Sequence, residues 1–444
     1  MDQIKLDQNR QSERISPPKL AGGDQLRSMA VELVAASTVP VGGRIKRGEN
    51  VTGRSLLLPG VNSMEVSLYP AFWTRDPAWV AEGGLVPADD VWGWITLLSE
   101  TMHGAKQWHL ASGGVVLPYS LPDHVNLDGQ PVYYPGTYAS DATQGGGKWG
   151  KYPPHDDQYW LTFSAFAHVQ LTGDPNSFQR TVKTRVGEMP LSAACELTHG
   201  AFPVDPETQL CVASGDLAEH IVDWGYNDSI SKTGKLLFPS LLRFASATQL
   251  ADLFARIGQA ETAAHYAAQV ATLRASITKT FLVDAAAGGQ WLLSATGIGR
   301  KPDVWGSAYA VYLGAVDDAV AREISRALRD AYVQRTAVLD GQVRHVLLTD
   351  GGWDVALCAE GTYQNGAYWG YPIGWYVYSL SLVDPDAARR LYAEYMVAMT
   401  RDWEKGLGSF AWEWINPALG HFQSPGYLTT VALPYVTLKA KWML

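Results

Sequence analysis

Two stretches of this 444-residue chain surround carboxyl groups with tryptophan side chains. The first, VDWGYNDS at residues 222–229, carries Asp223 and Asp228, and the second, AWEWINPALGH at residues 411–421, carries Glu413. An indole ring excludes water from a neighbouring carboxyl group, which raises its pKa and can keep it protonated near neutral pH. Flat indole faces also suit the apolar faces of sugar rings. The pattern indicates acid–base chemistry on a carbohydrate, although capping acids beside core tryptophans would give the same letters.

Three further stretches combine charged, amide and aromatic side chains: YPAFWTRD at residues 69–76, HDDQYW at residues 155–160 and EGTYQNGAYWGYP at residues 360–372. An Arg–Asp pair behind a tryptophan supplies a donor fork and an acceptor, which can hold two neighbouring hydroxyl groups. A salt bridge, or acids placed at a helix dipole, would explain the same residues structurally. The five stretches contain the residues predicted to bind substrate: Trp73, Arg75, Asp76, His155, Asp156, Asp157, Trp224, Tyr226, Asn227, Gln364, Asn365, Trp369, Trp412 and His421.

Composition excludes several other classes of protein. Hydrophobic residues make up 47% of the chain and charged residues 18%, as in folded globular proteins. With 35 basic against 44 acidic residues the net charge is −9, which argues against a nucleic-acid partner. No apolar run reaches membrane-spanning length, and the polar residues 1–19 lack the apolar segment of a signal peptide. The sequence therefore predicts a cytoplasmic protein with no membrane partner. Its 17 tryptophans and 21 tyrosines exceed what packing usually demands and favour a binding role.

No pattern in the sequence predicts a metal or a cofactor. The three cysteines, Cys195, Cys211 and Cys358, form no CxxC pair, which argues against a zinc site or a disulfide framework. The sequence leaves open whether Cys195 and Cys211 form a disulfide bond. The GGGK at residues 145–148 precedes tryptophan instead of Ser or Thr, so it is not a phosphate-binding loop. Residues 124–129 lack the acids of a calcium loop.

Helical hairpins recur along the chain. Helices are predicted over residues 24–37 and 88–103, and turns between helices at residues 172–176, 257–261, 314–318 and 383–386. Asp-Pro pairs in two of these turns predict helix starts, and Gly258 predicts a helix end. Little strand-like alternation separates the hairpins. The predicted fold is one all-α domain over residues 23–444, a closed ring of helical hairpins after a polar segment 1–22 that packs on its outside. Its aromatic-rich loops lie at one mouth.

The hairpins and loops over residues 57–444 resemble the six-hairpin glycosidase superfamily, with its trehalase-like, processing-glucosidase-like and rhamnosidase-like members. The resemblance implies an (α/α)6 toroid. WTRD at residues 73–76 resembles a sugar-gripping segment near the start of the toroid. WGYNDS at residues 224–229 resembles the loop that carries the general acid, and Trp412–Glu413 resembles the position of the general base. In those relatives the acid usually follows its tryptophan directly, whereas three residues intervene before Asp228. The β-sandwich that precedes the toroid in many members is not evident.

The resemblance implies metal-independent hydrolysis of a glycosidic bond, mostly with inversion. It implies Asp228 as general acid and Glu413 as general base, with Asp223 and Glu360 as alternatives. In such a reaction an acid protonates the leaving oxygen while a carboxylate about 6.5–9.5 Å away activates water. Because the acid needs the higher pKa, the more enclosed loop is expected to carry it. The long loop 113–149 has the size to wall off one end of the pocket, which predicts exo-acting cleavage of a small glycoside or oligosaccharide.

Two rival functions stay open. Polysaccharide lyases and sugar epimerases also use helical toroids, with Tyr or His as the base, and Tyr363 and Tyr427 lie in suitable loops. No pair of histidines of the epimerase kind stands out, and the net charge of −9 disfavours the acidic substrates of lyases. The other rival is a non-catalytic sugar-binding or scaffold protein.

Overall fold

The computed structural model describes residues 17–65, 69–109, 115–133, 155–213, 228–285 and 288–444. Twelve α-helices in these residues alternate between an inner and an outer ring. The inner helices are α2 (Arg75–Ala81), α4 (Trp160–Thr172), α6 (Leu237–Arg256), α8 (Val304–Leu313), α10 (Ile373–Ser381) and α12 (Thr429–Ala440). The outer helices are α1 (Gly23–Ser37), α3 (Ala88–Thr101), α5 (Leu191–His199), α7 (Ala260–Phe281), α9 (Asp318–Val333) and α11 (Pro385–Trp403).

The inner helices form a closed ring. Each packs against the next one in chain order, and α12 packs against α2 to complete the circle. The outer helix α1 packs against α12, so the two ends of the described chain meet. The backbone of Leu20 also bonds that of Met443 (N···O 2.8 Å). The predicted all-α toroid is therefore confirmed. The division into a segment 1–22 and a domain 23–444 stays a prediction, and residues 1–16 lie outside the described residues.

The burial patterns of α6 and α9 match their positions in the inner and the outer ring. Every residue of the inner helix α6 from Leu237 to Ala247 is buried, because neighbouring helices cover it on all sides. The outer helix α9 buries residues at helical spacing, among them Ile324, Leu328 and Tyr332, and exposes charged residues on its other face. The Asp317 side chain caps its first turn by accepting from the Val320 amide (2.9 Å).

Short turns lead from inner to outer helices at four places, residues 82–87, 257–259, 314–317 and 382–384. Gly258 and Gly314 adopt φ of +79° and +68° at these helix ends, a backbone conformation that suits glycine. Longer segments lead from outer to inner helices, so the inner helices all begin at the same mouth. That mouth carries the predicted aromatic loops, as far as they fall within the described residues.

One predicted helix start is wrong. Asp174 does cap a turn, since its side chain accepts from the Asn176 amide (3.0 Å), but only the 3-10 turn Pro175–Gln179 follows. A β-hairpin then precedes α5, because the segment TVKT favours extended backbone and Gly187 turns with φ +119°. Helix α3 also ends at Thr101, two residues before the predicted end. The other 3-10 turns in the described residues are Asp157–Tyr159, Leu348–Asp350 and Pro417–Leu419.

Short strands are more frequent than the sequence predicted. A five-stranded antiparallel sheet, the rim sheet, comprises β16 (Val338–Leu339), β17 (Gln342–Arg344), β18 (Tyr368–Trp369), β19 (Trp414–Asn416) and β20 (His421–Gln423). A three-stranded sheet comprises β5 (Ala71–Trp73), β8 (His124–Asn126) and β9 (Pro131–Val132). The remaining strands form pairs: β1 (Thr38–Val39) with β4 (Leu56–Leu57), β2 (Arg44–Ile45) with β3 (Gly48–Glu49), β6 (Trp108–His109) with β7 (Val115–Val116), β10 (Thr181–Thr184) with β11 (Gly187–Pro190), β12 (Val212–Ala213) with β13 (Gly234–Lys235), and β14 (Leu282–Asp284) with β15 (Gln290–Leu292).

Aromatic side chains fill the centre of the ring. Trp79 from α2 lies with its ring centroid 5.2 Å from that of Trp160, 5.5 Å from Tyr309 and 5.5 Å from Trp375. Phe238 from α6 stacks on Tyr309 at 5.3 Å. This aromatic floor closes the ring below the mouth, so part of the tryptophan and tyrosine excess serves packing.

Cys195 and Cys211 are both buried free thiols, so the bridge left open by the sequence does not form. None of the helices in the described ranges is both long and apolar enough to cross a bilayer.

Candidate active site

Arg75 joins two of the predicted loops at the mouth. As the first residue of α2, it donates from Nε to Oδ2 of Asp156 (2.6 Å) and from Nη1 to Oδ1 of Asp228 (3.2 Å). Asp156 precedes the turn that leads into α4, and Asp228 lies in the connection that leads into α6. One guanidinium therefore gathers residues from the starts of three consecutive inner helices.

Asp228 is held from both sides. Its Oδ2 accepts a hydrogen bond from the Tyr363 hydroxyl (3.0 Å), opposite the Arg75 contact. Burial raises the pKa of Asp228, and the positive charge of Arg75 and the Tyr363 hydroxyl work in the opposite direction. The side chain is still 28% exposed, so solvent reaches it at the mouth of the ring.

Glu413 is the more enclosed carboxyl group, at 4% exposure. Its Oε2 accepts a short hydrogen bond from the Tyr69 hydroxyl, and the Ser424 hydroxyl also bonds to it. Burial raises the pKa of Glu413 to about 7, and the negative charges of Asp228 and Asp76 add to the effect.

The rim sheet fixes the backbone of Glu413. This residue immediately precedes β19, and its amide donates to the carbonyl groups of Gln423 (3.0 Å) and Ser424 (3.1 Å). The neighbouring Trp414 pairs in register with Trp369 on β18. Two of the predicted loops are thereby joined at the backbone.

Further acids complete a carboxyl cluster at the mouth, which we define as Asp76, Asp123, Asp156, Asp157, Asp228 and Glu413. Burial raises the pKa of Asp76 to about 6 while the Tyr427 hydroxyl bonds to it. Burial and the neighbouring acids also raise the pKa of Asp156 and of Asp157. Such a concentration of perturbed carboxyl groups is typical of functional sites, and it makes this cluster the candidate active site.

Aromatic rings line the cluster. The Tyr69 ring meets Trp73 edge-on at 5.4 Å, and the half-buried Trp73 stacks on His124 at 4.6 Å. Trp369 is only 3% exposed, lies 5.2 Å from the Tyr363 ring and donates from Nε1 to the Tyr363 carbonyl (3.1 Å). Trp369 therefore supports Tyr363 from behind, whereas the sequence predicted an open platform for a sugar.

Two predicted amide side chains brace the loops. Gln364 accepts from the Ser229 amide (3.2 Å), which ties the loop of residues 360–372 to the residue after Asp228. Asn365 accepts from the Trp353 amide (2.6 Å) and donates to the Cys358 carbonyl (2.9 Å). These contacts position the loops.

The remaining predicted residues lie at the edge of the cluster or away from it. Glu360 is exposed and lies against Gly351, so the structure does not bring it to the carboxyl cluster. His421 lies on β20 with its ring 5.7 Å from that of Trp414, and Trp412 packs on Phe422 at 5.7 Å. His155 is buried beside the cluster, and burial lowers its pKa to about 4. The predictions for Asp223, Trp224, Tyr226 and Asn227 fall outside the described residues.

Several residues of the site were not predicted as members. Tyr69, Tyr363 and Tyr427 each bond a carboxyl group of the cluster, and Asp123 raises the pKa of Asp156 and Asp228 through its charge. All three tyrosines lie in or beside the acid-bearing stretches, and this position in the sequence is the signal that could have identified them as site residues. Within the described residues, no three or more His, Cys, Asp or Glu side chains are arranged to hold a metal ion.

Comparison with solved structures identifies the fold. The GH63 mannosylglycerate hydrolase from Thermus thermophilus, solved with Tris, matches 93% of this chain and 99% of its own at 13% identity and TM-score 0.54. Glucoamylase from Saccharomycopsis fibuligera matches 97% of this chain and 98% of its own at 11% identity and TM-score 0.55. The GH78 rhamnosidase of Bacillus sp. GL1 matches 95% of this chain but 35% of its own, at 12% identity and TM-score 0.54.

The chain therefore shares the (α/α)6 toroid fold of these three structures, which is the fold that the sequence resemblance implied. No protein-family model and no curated protein matches the amino-acid sequence.

Proposed function

We propose that the protein is a glycoside hydrolase that cleaves with inversion through Asp228 and Glu413. The observation that carries this proposal is the pairing of the two carboxyl groups at the mouth. Each accepts a hydrogen bond from a tyrosine hydroxyl, each has a raised pKa, and the charge of Asp228 raises the pKa of Glu413. An inverting mechanism needs two such groups, one to protonate the leaving oxygen and one to activate water.

Asp228 is the proposed general acid and Glu413 the proposed general base. In a pocket closed by the aromatic floor, the leaving group departs through the mouth, and the acid must reach the oxygen on that side. Asp228, at 28% side-chain exposure, lies toward the opening, whereas Glu413 is enclosed. A base with a pKa of about 7 is matched to work near neutral pH. The sequence placed the acid on the more enclosed loop, which would make Glu413 the acid and Asp228 the base. A comparison of substrates with good and poor leaving groups decides between the two assignments.

The closed shape favours an exo-acting enzyme on small substrates. The aromatic floor blocks passage of a polymer through the ring. Residues 113–114 and 134–149 of the loop 113–149, which was predicted to wall off the pocket, fall outside the described residues. Exo-acting cleavage stays a proposal, and a rapid loss of viscosity with a polysaccharide substrate would contradict it.

A panel of glycosides tests the proposal. The similar structures are named as a mannosylglycerate hydrolase, a rhamnosidase and a glucoamylase, which are three different activities. We therefore expect one member of a 4-nitrophenyl glycoside panel that spans gluco, manno and rhamno configurations in both anomers to be cleaved. Proton NMR of the first product formed is expected to show the anomer opposite to that of the substrate. A product of retained configuration would remove the inverting mechanism, and an ultraviolet-absorbing unsaturated sugar would indicate a lyase.

The lyase and epimerase alternative finds less support at this site. Burial and neighbouring acids raise the pKa of Tyr363 and of Tyr427 well above the ordinary value. A tyrosine must be deprotonated to serve as a base, so these two are better suited to donate hydrogen bonds to carboxylates. The cytoplasmic location and the absence of a nucleic-acid partner stay predictions from the sequence.

A further inference from the structure

A second buried group of polar side chains lies at the mouth of the ring, apart from the carboxyl cluster. It consists of Lys232, Asp303 and His345, which are 2%, 0% and 0% exposed, and we call it the Lys–Asp–His cluster. Nζ of Lys232 lies 3.7 Å from Oδ2 of Asp303, and Nε2 of His345 lies 3.2 Å from Oδ1 of the same carboxylate. Burial lowers the pKa of His345 to about 4, so at neutral pH the cluster holds one positive and one negative charge.

Indole rings enclose this ion pair. Trp305 stacks on His345 with ring centroids 4.2 Å apart, and Trp353 lies 4.7 Å from the His345 ring. The ammonium group of Lys232 lies 4.7 Å from the centroid of the Trp353 ring. Removing two charges from water in this way is costly, and a buried ion pair often stabilises a fold no more than apolar side chains of the same volume do. The best-attested role of such a pair is to fix one arrangement of the chain.

Two members of the cluster belong to rigid elements. Asp303 caps the inner helix α8, since its Oδ1 accepts from the Gly306 amide (2.7 Å). His345 directly follows β17 of the rim sheet, and its carbonyl accepts from the Val304 amide (3.0 Å). Lys232 therefore ties its own segment to both a helix and a sheet.

The third member, Lys232, follows Asp228 by four residues. The backbone of residues 229–231 pairs with that of residues 355–357 through two hydrogen bonds of 2.8 and 3.0 Å. Asp228 itself lies in a turn, outside the helices and strands. Its place therefore depends on how the segment 229–232 is held.

We infer that Lys232 is a positioning residue for Asp228. Its ammonium group, paired with Asp303 beside the indole rings, fixes the segment 229–232 and so holds the Asp228 carboxyl group between Arg75 and Tyr363. A proton donor must lie within hydrogen-bond reach of the leaving oxygen, and displacement of a reacting group by about 1 Å can lower the rate about a hundredfold. The inference rests on the proposed function for the role of Asp228 as general acid.

A pair of substitutions tests the inference without leaving a buried charge unpaired. Lys232→Met together with Asp303→Asn removes both charges, methionine fills the volume of the lysine side chain, and asparagine can still cap α8. This double variant is expected to keep the urea midpoint of the wild type, because the cost of burying two charges disappears along with their attraction. On a glycoside with a poor leaving group, kcat is expected to fall about tenfold or more, with a much smaller change in KM. A lower urea midpoint with unchanged kcat would assign the cluster a purely structural role and overturn the inference.

The matched control pair lies in the same connection. Lys235 on β13 pairs with Asp205 (Nζ···Oδ2 3.4 Å), but both side chains are partly exposed, at 29% and 28%. Lys235→Met together with Asp205→Asn makes the same change of charge where solvent reaches the pair, and it is expected to leave kcat unchanged. An equal loss of kcat in both double variants would contradict a specific role of Lys232.

Combination with Asp228→Asn shows whether Lys232 acts through Asp228. The loss caused by Lys232→Met with Asp303→Asn is expected to be smaller for an activated nitrophenyl glycoside than for one with a poor leaving group. It is also expected to disappear when Asp228 has already been replaced with asparagine. Losses that multiply in the combined variant would overturn the inference.

Crystal structures of the wild type and the two double variants separate this inference from the proposed function, since they need no substrate. The contact of Asp228 Oδ2 with the Tyr363 hydroxyl, at 3.0 Å, is expected to persist in the control and to be lost in Lys232→Met with Asp303→Asn. An Asp228 that keeps its wild-type place in that variant would overturn the inference even if glycosides are cleaved. A displaced Asp228 in a protein whose wild type cleaves no glycoside would support the positioning role and remove the proposed hydrolase activity.

Discussion

Glu413 and Asp228 each accept a tyrosine hydroxyl, but their surroundings differ. Glu413 is 4% exposed, and among the described residues its carboxyl group accepts from the hydroxyl groups of Tyr69 and Ser424. Asp228 is partly exposed and also bonds the charged Arg75. Because the two groups differ in both enclosure and partner charge, substitution of each is expected to have a different chemical consequence.

Glu413→Gln is expected to lower kcat about a hundredfold or more on any cleaved glycoside, because proton transfer by a positioned base contributes about that much. A base activates water whatever the aglycone, so the loss is expected to be similar for good and poor leaving groups. Asp228→Asn is expected to cost as much with a poor leaving group and much less with an activated nitrophenyl glycoside, which needs no protonation. The inverse pattern would exchange the two roles, and near wild-type turnover by either variant would remove that residue from the mechanism.

Tyr69→Phe changes the pH dependence. The Tyr69 hydroxyl stabilises the ionised form of Glu413 and so lowers its pKa, against the larger effect of burial. Without this hydroxyl the pKa of Glu413 rises further above about 7. A base must be deprotonated, so the limb of the kcat/KM profile that reports Glu413 is expected to move to higher pH.

The matched control for this variant is Tyr332→Phe. Tyr332 also donates its hydroxyl to a carboxylate, that of Glu394 (2.8 Å), but on the outer helix α9. Its profile is expected to coincide with that of the wild type. A profile of Tyr69→Phe in which neither limb moves would mean that Glu413 is not a group that the profile reports.

At the scale of elements, the rim sheet positions Glu413 and begins in a tight hairpin. Asp340 and Gly341 form its two-residue turn, with φ of +48° and +69°. An Asp-Gly pair with both φ angles positive is the preferred connection of this kind, because its twist matches that of the strands. A Cβ atom at Gly341 would overlap the backbone of Tyr395 on α11.

Gly341→Ala is therefore expected to lower the free energy of unfolding by about 3 kcal/mol or more, since both backbone strain and a backbone clash oppose it. Gly258→Ala is the matched control. Gly258 has a similar φ of +79°, but nothing lies within 4 Å of the added atom, so only the strain of about 1 kcal/mol is expected. Urea denaturation of both variants measures the difference, and equal losses would contradict the proposed clash.

The helices could be predicted from the sequence much better than the strands could. Hairpin turns carry local signals, such as Gly258 after the last turn of α6, and these depend on neighbours in the chain. Strands of two or three residues are too short to show alternation, and β18 pairs with β19 across more than forty residues. Asp174 shows the limit of a local signal, because a cap predicts a helical turn and not how far it continues.

At the scale of the whole molecule, the site depends on contacts that no local pattern contains. Tyr69 and Glu413 lie 344 residues apart and meet only because the ring closes. The sequence identified the stretches that hold Arg75, Asp156 and Asp228, since acids beside aromatic residues stand out. It could not tell that Trp369 supports Tyr363 from behind, because burial at the mouth is set by the packing of several loops.

Enclosure of the site also affects the stability of the whole protein. Burial raises the pKa of Glu413 from 4.5 to about 7, so between these values the folded protein holds a proton that the unfolded chain has lost. Stability therefore falls as pH rises through this window, by about 3 kcal/mol in total at pH 8. Glutamine carries no proton to lose and keeps the shape of the side chain.

Glu413→Gln is accordingly expected to unfold at a higher temperature than the wild type at pH 8, with the gain shrinking to below about 1 kcal/mol at pH 5. Glu394→Gln supplies a control of opposite sign. The hydrogen bonds from Arg335 and Tyr332 hold the pKa of Glu394 below its ordinary value, so this substitution is expected to reduce stability at pH 8. Thermal denaturation of the three proteins at both pH values measures these differences. Equal or lower stability of Glu413→Gln at pH 8 would mean that ionisation of the enclosed carboxyl group does not destabilise the folded protein. That result would contradict a raised pKa of Glu413.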